Sequence, residues 1–195
     1  MKIIDFLLIL TGSLLANAPG SFAQKDSSGI YKTAGDFKNR KLSYAINYRT
    51  EKHKINSYVL FNDDVIKVKH QGTAYTLKKS ETYGYRNTKG VEFRFVDNKE
   101  YKILNPGEAV LLYVYQHPAH SPKEAGKNEP MNYFTINAVD PPKNLTKANL
   151  KAAFPENHKL HDALDAQFRN DAELTDYDRF HRMYKLSWGI KNNSK

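Results

Sequence analysis

Residues 65–115 read VIKVKHQGTAYTLKKSETYGYRNTKGVEFRFVDNKEYKILNPGEAVLLYVY, and this stretch leaves little freedom in the choice of fold. Val91, Phe93 and Phe95 alternate with Glu92 and Arg94, the period-2 pattern of a strand with one buried face. Tyr101 and Ile103 repeat it around Lys102, and Tyr113 and Tyr115 flank Val114. Gln71-Gly72, Asn87-Thr88-Lys89-Gly90, Asp97-Asn98 and Asn105-Pro106-Gly107 separate these runs with residues that favour reversals. Connections this short suit antiparallel neighbours, because a parallel crossover needs about a dozen residues.

Upstream, Leu42, Tyr44, Ile46 and Tyr48 alternate with Ser43, Ala45, Asn47 and Arg49 and predict a strand. Ile55 to Phe61 predicts another, turned by Asn62-Asp63-Asp64 into Val65 to His70. Thr33 and Asp36 form a capping-box variant for a short turn through Phe37, while residues 24–30 read as a flexible leader. Downstream, residues 116–130 hold three prolines and no large apolar side chain, and they read as a long surface loop. Met131 to Ile136 predicts one more strand before the period changes.

Leu145 and Leu150 are placed as a hydrophobic staple around a Thr146 cap, and Pro155 interrupts that helix. Leu160, Leu164 and Phe168 predict a second helix. Tyr177, Phe180, Tyr184 and Trp188 predict a third that docks on the sheet through those rings, and the early Asp171, Glu173, Asp176 and Asp178 with the later Arg179, Arg182 and Lys185 suit its dipole. The expected fold is α+β: an antiparallel β-meander, a twisted sheet or half-barrel over about residues 40–137, followed by about three helices over 146–188.

The chain begins MKIIDFLLILTGSLLANAPGSFAQ. Lys2, the apolar run Phe6 to Leu15 and the small residues around Ala23 predict a signal peptide over residues 1–23, too short for the ~20 residues of a membrane span. Residues 24–195 then form a single exported domain with no second long apolar segment. There is no cysteine, which removes disulfides, thiolate metal sites and thiol nucleophiles. The formal charge is +9, and residues 38–102 carry 15 Lys and Arg against 7 acids. Lys67, Lys69, Arg94 and Lys102 fall between buried positions, which predicts a basic, solvated sheet surface. It would attract an anionic envelope component, either polysaccharide or phosphate-bearing lipid. Export argues against nucleic acid as the partner.

Two other chemistries are open to these residues. His158, His161, Asp162 and Asp165 stand at i, i+3, i+4 and i+7, so one helix face can carry a metal-dependent hydrolase site, with His117 and His120 on the proline-rich loop to close it. The reading preferred for the same residues is a solvated polar stripe opposite Leu160, Leu164 and Phe168, since no HExxH is present. Tyr83 and Tyr85, two apart, can form an aromatic face for sugar rings or simply a packed sheet face. GxSxG, Walker and GxGxxG motifs are absent, and no cofactor is expected.

Several blocks together, GIYKTAGDFKNRKLSY, YGYRNTKGVEFRF, EYKIL, NLKAAFPENHKLHDALDAQF and YDRFHRMYKLSW, resemble a group of uncharacterised exported proteins typical of Bacteroidetes. The likeness runs from Gly29 to about Trp188. It implies an envelope or secreted location, in which the sequons at Asn144 and Asn192 carry no glycan, and it assigns no functional residue. The sequence reading is therefore an exported, non-enzymatic binding or structural module.

Overall fold

The computed structural model describes residues 27–47, 49, 51, 54–57, 63–116 and 130–193. The leader expected over residues 1–23 lies outside the described residues, as do His117 and His120. The elements run in the order β1 (Ser27–Tyr31), α1 (Ala34–Lys38), β2 (Ser43–Asn47), β3 (Lys54–Asn56), β4 (Val65–His70), β5 (Thr73–Lys78), β6 (Gly84–Arg86), β7 (Glu92–Val96), β8 (Lys99–Ile103), β9 (Leu111–Tyr115), β10 (Met131–Thr135) and β11 (Lys143–Asn144). The C-terminal segment follows with α2 (Lys147–Ala153), α3 (His158–Gln167), β12 (Tyr177–Asp178), β13 (Met183–Tyr184) and α4 (Lys185–Asn193).

Eight strands form an open antiparallel sheet in the order β11-β10-β9-β8-β7-β6-β1-β2, and β3-β4-β5 form a second, smaller sheet. The turn residues act as expected: Gln71 and Gly72, and likewise Asp97 and Asn98, take positive φ in two-residue hairpin loops. One difference is at the start. Residues 27–30, read as part of a flexible leader, belong with Tyr31 to a strand between β6 and β2, with Ile30 and Tyr31 fully buried. The sheet supplies partners on both sides, and tertiary pairing overrides weak local propensity.

Register separates the two faces of the large sheet. Ile30, Tyr85, Phe93, Lys102 and Val114 lie on one, and Tyr31, Gly84, Arg94, Tyr101 and Tyr115 on the other. The first face is covered twice. At one end the small sheet packs Ile66 and Val68 against Ile30, Tyr85 and Phe95. At the other end the helices pack Leu150, Leu160, Leu164, Phe168 and Leu186 against Leu112 and Phe134. Asn105 ties the last helix down, because its amide donates to Ser187 Oγ at 3.0 Å while its oxygen accepts from Leu112 N at 2.6 Å.

α2 and α3 follow the sequence pattern, with Thr146 capping the first and Asn157 the second. The third expected helix does not. Tyr177 pairs with Tyr184 across the β12–β13 hairpin, and Phe180 at its tip is 88% exposed. The docked helix begins only at Lys185 and buries Leu186, Ser187, Gly189 and Ile190. Seven-residue spacing serves a cross-strand pair as well as two helical turns, and here the turn chemistry of Asp178 decides. The neighbouring acids do not cluster on one helix either: Asp171 accepts from Lys147 N and Asp176 pairs with Lys185. Among the described residues, no helix is long and apolar enough to cross a membrane.

Candidate functional site

The second face of the large sheet carries α1 and a polar interior. α1 starts immediately after β1 through a full capping box: Thr33 Oγ1 accepts from Asp36 N at 3.0 Å, and Asp36 Oδ2 accepts from Thr33 N at 3.1 Å. Phe37 then enters the aromatic layer, stacked on Tyr83 at 5.1 Å and edge-on to Tyr31 at 5.5 Å. Thr33→Ala removes one cap and is expected to cost about 1 kcal/mol. A urea midpoint lowered at unchanged slope checks this.

Beneath α1, Glu92 accepts from Arg40 Nη1 on both carboxylate oxygens at 2.6 Å and from the Tyr31 hydroxyl at 3.2 Å. Arg94, two residues along β7, has no such partner. Its Nη1 donates to the Tyr113 hydroxyl at 3.1 Å, which in turn shares a hydrogen bond with Thr135 Oγ1 at 3.1 Å. Its guanidinium carbon lies 5.3 Å from the Tyr83 ring centroid. Arg94 is only 5% exposed, its Nε is buried without a hydrogen-bond partner, and among the described residues no carboxylate pairs with it.

A cleft of about 480 Å³ opens over this point, lined among others by Lys32, Thr33, Lys79, Tyr83, Arg94 and Asn98. Glu81 and Asp97 also line it. Lys79 is buried and donates to the Asn98 carbonyl at 3.4 Å. Desolvation lowers its pKa, against the pull of Glu100, Asp63 and Asp64. Burial first, and then the Tyr113 hydroxyl, push the Tyr83 phenol far up, so it stays a neutral donor. The cleft therefore brings the Arg94 guanidinium and the Lys32 ammonium together, groups suited to a carboxylate or phosphate, while Lys79 Nζ is engaged by the Asn98 carbonyl and the Tyr83 hydroxyl is buried.

The four bases expected to share a solvated surface do not share one. Lys67 and Lys69 are exposed on β4 in the small sheet, where the intervening Ile66 and Val68 are buried, and Lys102 is exposed on the large sheet. Arg94 faces the opposite side of that sheet from Lys102 and is buried. Alternation placed Glu92 and Arg94 in solvent because the sequence gives no sign that α1 and the loops cover the second face.

The sugar-binding face is likewise consumed by packing. Tyr85 is 7% exposed and stacks on Phe93 at 4.8 Å, whereas Tyr83 belongs to the cluster on the other face. Tyr83 precedes β6, so strand alternation does not extend to it.

On α3, His161 Nε2 lies 2.9 Å from the Phe154 carbonyl, and Asp165 is engaged by Lys151 and Lys147. His158 and Asp162 face solvent. Among the described residues, no three His, Asp or Glu side chains come together as a metal site, so the face built from His158, His161, Asp162 and Asp165 does not assemble one. The Lys151 hydrogen bond holds the Asp165 carboxyl below its ordinary range.

Among the site's residues, the sequence assigns a binding role only to Arg94 and Tyr83, and reads Thr33, Asp97 and Asn98 as capping and turn residues. Lys32, Lys79 and the Arg40–Glu92 pair carry no local signal, since charged residues between hydrophobics read as solvated. No known family, curated protein or solved structure matches the chain.

Proposed function

We propose that the protein is an exported, non-catalytic binding module of the bacterial envelope that holds an anionic group, carboxylate or phosphate, in the cleft beside α1. The observation that carries this reading is Arg94: a guanidinium buried to 95% at a cleft, with no carboxylate partner among the described residues. A buried charge is costly unless paired, and a ligand anion would complete the pairing that Glu92 gives to Arg40. Lys32 at the rim adds long-range attraction, as does the positive excess of residues 38–102. The leader pattern over residues 1–23 supports export.

The test is titration calorimetry of the purified protein with inorganic phosphate and with glucuronate, across a salt series. Binding is expected to weaken with salt and to fall about tenfold or more in Arg94→Gln, the scale of one lost charge-assisted hydrogen bond. Lys32→Glu, at an exposed position that leaves the fold intact, is expected to weaken it severalfold. No binding to either anion, or binding that Lys32→Glu and a folded Arg94→Gln leave unchanged, overturns the reading.

A further inference from the structure

The β12–β13 hairpin is the other feature of the molecule built to meet something. Its strands are two residues each and paired at Tyr177–Tyr184 and Asp178–Met183. A ribbon this short has little stability of its own, yet the tip is held firmly. Asp178 Oδ1 accepts from Phe180 N at 2.8 Å and from His181 N at 3.2 Å, while its Oδ2 lies 2.6 Å from His181 Nδ1. The His181 ring lies 4.8 Å from Trp188 on α4, so the tip is braced against the helical segment.

This brace presents an apolar side chain to water. Phe180 is 88% exposed and Tyr177 52%, and the Phe180 ring sits edge-to-face with His181 at 4.9 Å. Exposed arginines flank the tip at 179 and 182, and Arg182 takes φ 54 in the turn. The acids nearby are already engaged, Asp178 with His181 and Asp176 with Lys185. Neither arginine has an ion-pair partner among the described residues.

We propose that this tip docks the protein on an anionic lipid surface, with Phe180 entering the boundary between headgroups and acyl chains and Arg179 and Arg182 meeting the phosphates. Three properties of the tip suit that occupant. A phenyl ring without a polar handle gains most from a hydrocarbon medium, and two guanidinium groups beside it complement a layer of phosphates. The amides of Phe180 and His181 already donate to Asp178, so the tip enters a poorly hydrated region without leaving those donors unpaired. Tyr177 at the hairpin base and Trp188 against His181 add two amphipathic rings of the kind that settle between lipid and water. Such a contact is weak and reversible by itself, as single anchors are. It is separate from the cleft beside α1 and does not depend on what that cleft holds.

Sedimentation of the purified protein with phosphatidylglycerol-containing vesicles and with pure phosphatidylcholine vesicles tests the proposal. The single tryptophan, Trp188, reports the contact through its emission. Expected are binding to the anionic vesicles, a shift in Trp188 emission on binding, and loss of about tenfold in partitioning for Phe180→Ala. Arg179→Glu and Arg182→Glu are each expected to cost about fivefold or more. All three positions are exposed, so the variants keep the fold, which circular dichroism verifies. Lys32→Glu, in the cleft, is expected to bind vesicles as the wild type does. Equal binding to both vesicle types, no vesicle binding, or partitioning unmoved by Phe180→Ala overturns the proposal. So does binding to a soluble acidic polysaccharide that displaces the vesicles and responds to the same hairpin variants, which would make the tip a polysaccharide contact.

Discussion

Gly84→Ala is expected to remove about 3 kcal/mol or more of stability, a large share of the ~5–15 kcal/mol that holds a typical domain folded. A Cβ on Gly84 would sit 1.9 Å from the Phe93 carbonyl oxygen, 2.9 Å from its carbon and 3.0 Å from Arg94 Cα. All three are backbone atoms, so no side-chain rotation relieves the contact. β6 would have to part from β7, and β6 also pairs with β1, so strain there reaches two ladders. Overpacking costs about 1–3 kcal/mol where side chains can adjust, and a backbone clash belongs at or beyond the upper end. Gly72→Ala provides the comparison. Its Cβ meets nothing within 4 Å, and the only strain comes from φ +80, which costs about 1 kcal/mol. Urea denaturation of both variants decides the matter: equal stabilities would mean that β6 and β7 do not pair as closely as the structure has them.

How far the sequence discloses this molecule depends on whether a residue's environment is set by its neighbours in the chain. The hairpin loops at Gln71-Gly72 and Asp97-Asn98 are local, and they form where turn chemistry predicts. The Thr33–Asp36 box and the Thr146 cap are local too. Glu92 and Arg94 are the contrary case. Their alternation with Val91, Phe93 and Phe95 specifies opposite faces correctly, but what covers a face is decided by α1, some fifty residues upstream. Tyr177, Phe180, Tyr184 and Trp188 fail differently: a spacing compatible with one helix face is overridden by Asp178, whose carboxylate takes the tip amides and closes a hairpin. The strand at residues 27–31 needs β2 and β6 on either side and has little pattern of its own. The candidate cleft draws residues from the segment between β1 and α1, from β7 and from the turn at Lys79–Glu81, so the sequence assigns a binding role only to Arg94, on a solvated surface it does not occupy, and to Tyr83, on a sheet face it does not share with Tyr85.

Alkaline solution is expected to unfold the protein between pH 10 and 12, and the buried tyrosines are the reason. Desolvation first, and the neighbouring Glu92 carboxylate second, push the Tyr31 phenol up to about 12. Burial, with Tyr133 and Tyr115 nearby, does the same for Tyr101, also to about 12. Tyr83 and Tyr85 are raised further by burial. Each folded-state value lies above the unfolded value near 10, so each group's stabilising contribution is fully present below pH 10 and is lost as pH rises through the folded value. For Tyr31 and Tyr101, both nearly inaccessible, a rise of two units is worth about 3 kcal/mol each, and together they rival the whole stability of a typical domain. Lys79 works against this trend, since its lowered pKa favours the folded state as pH rises, but it is one group against four. The expected observation is that the rise in tyrosinate absorbance and the loss of circular dichroism share one steep midpoint above pH 10. Tyr31→Phe, which removes one ionising group while Arg40 still holds Glu92, moves that midpoint upward. Smooth ionisation near pH 10 with the fold intact would show that these rings reach water and that the packed aromatic face beneath α1 is not closed.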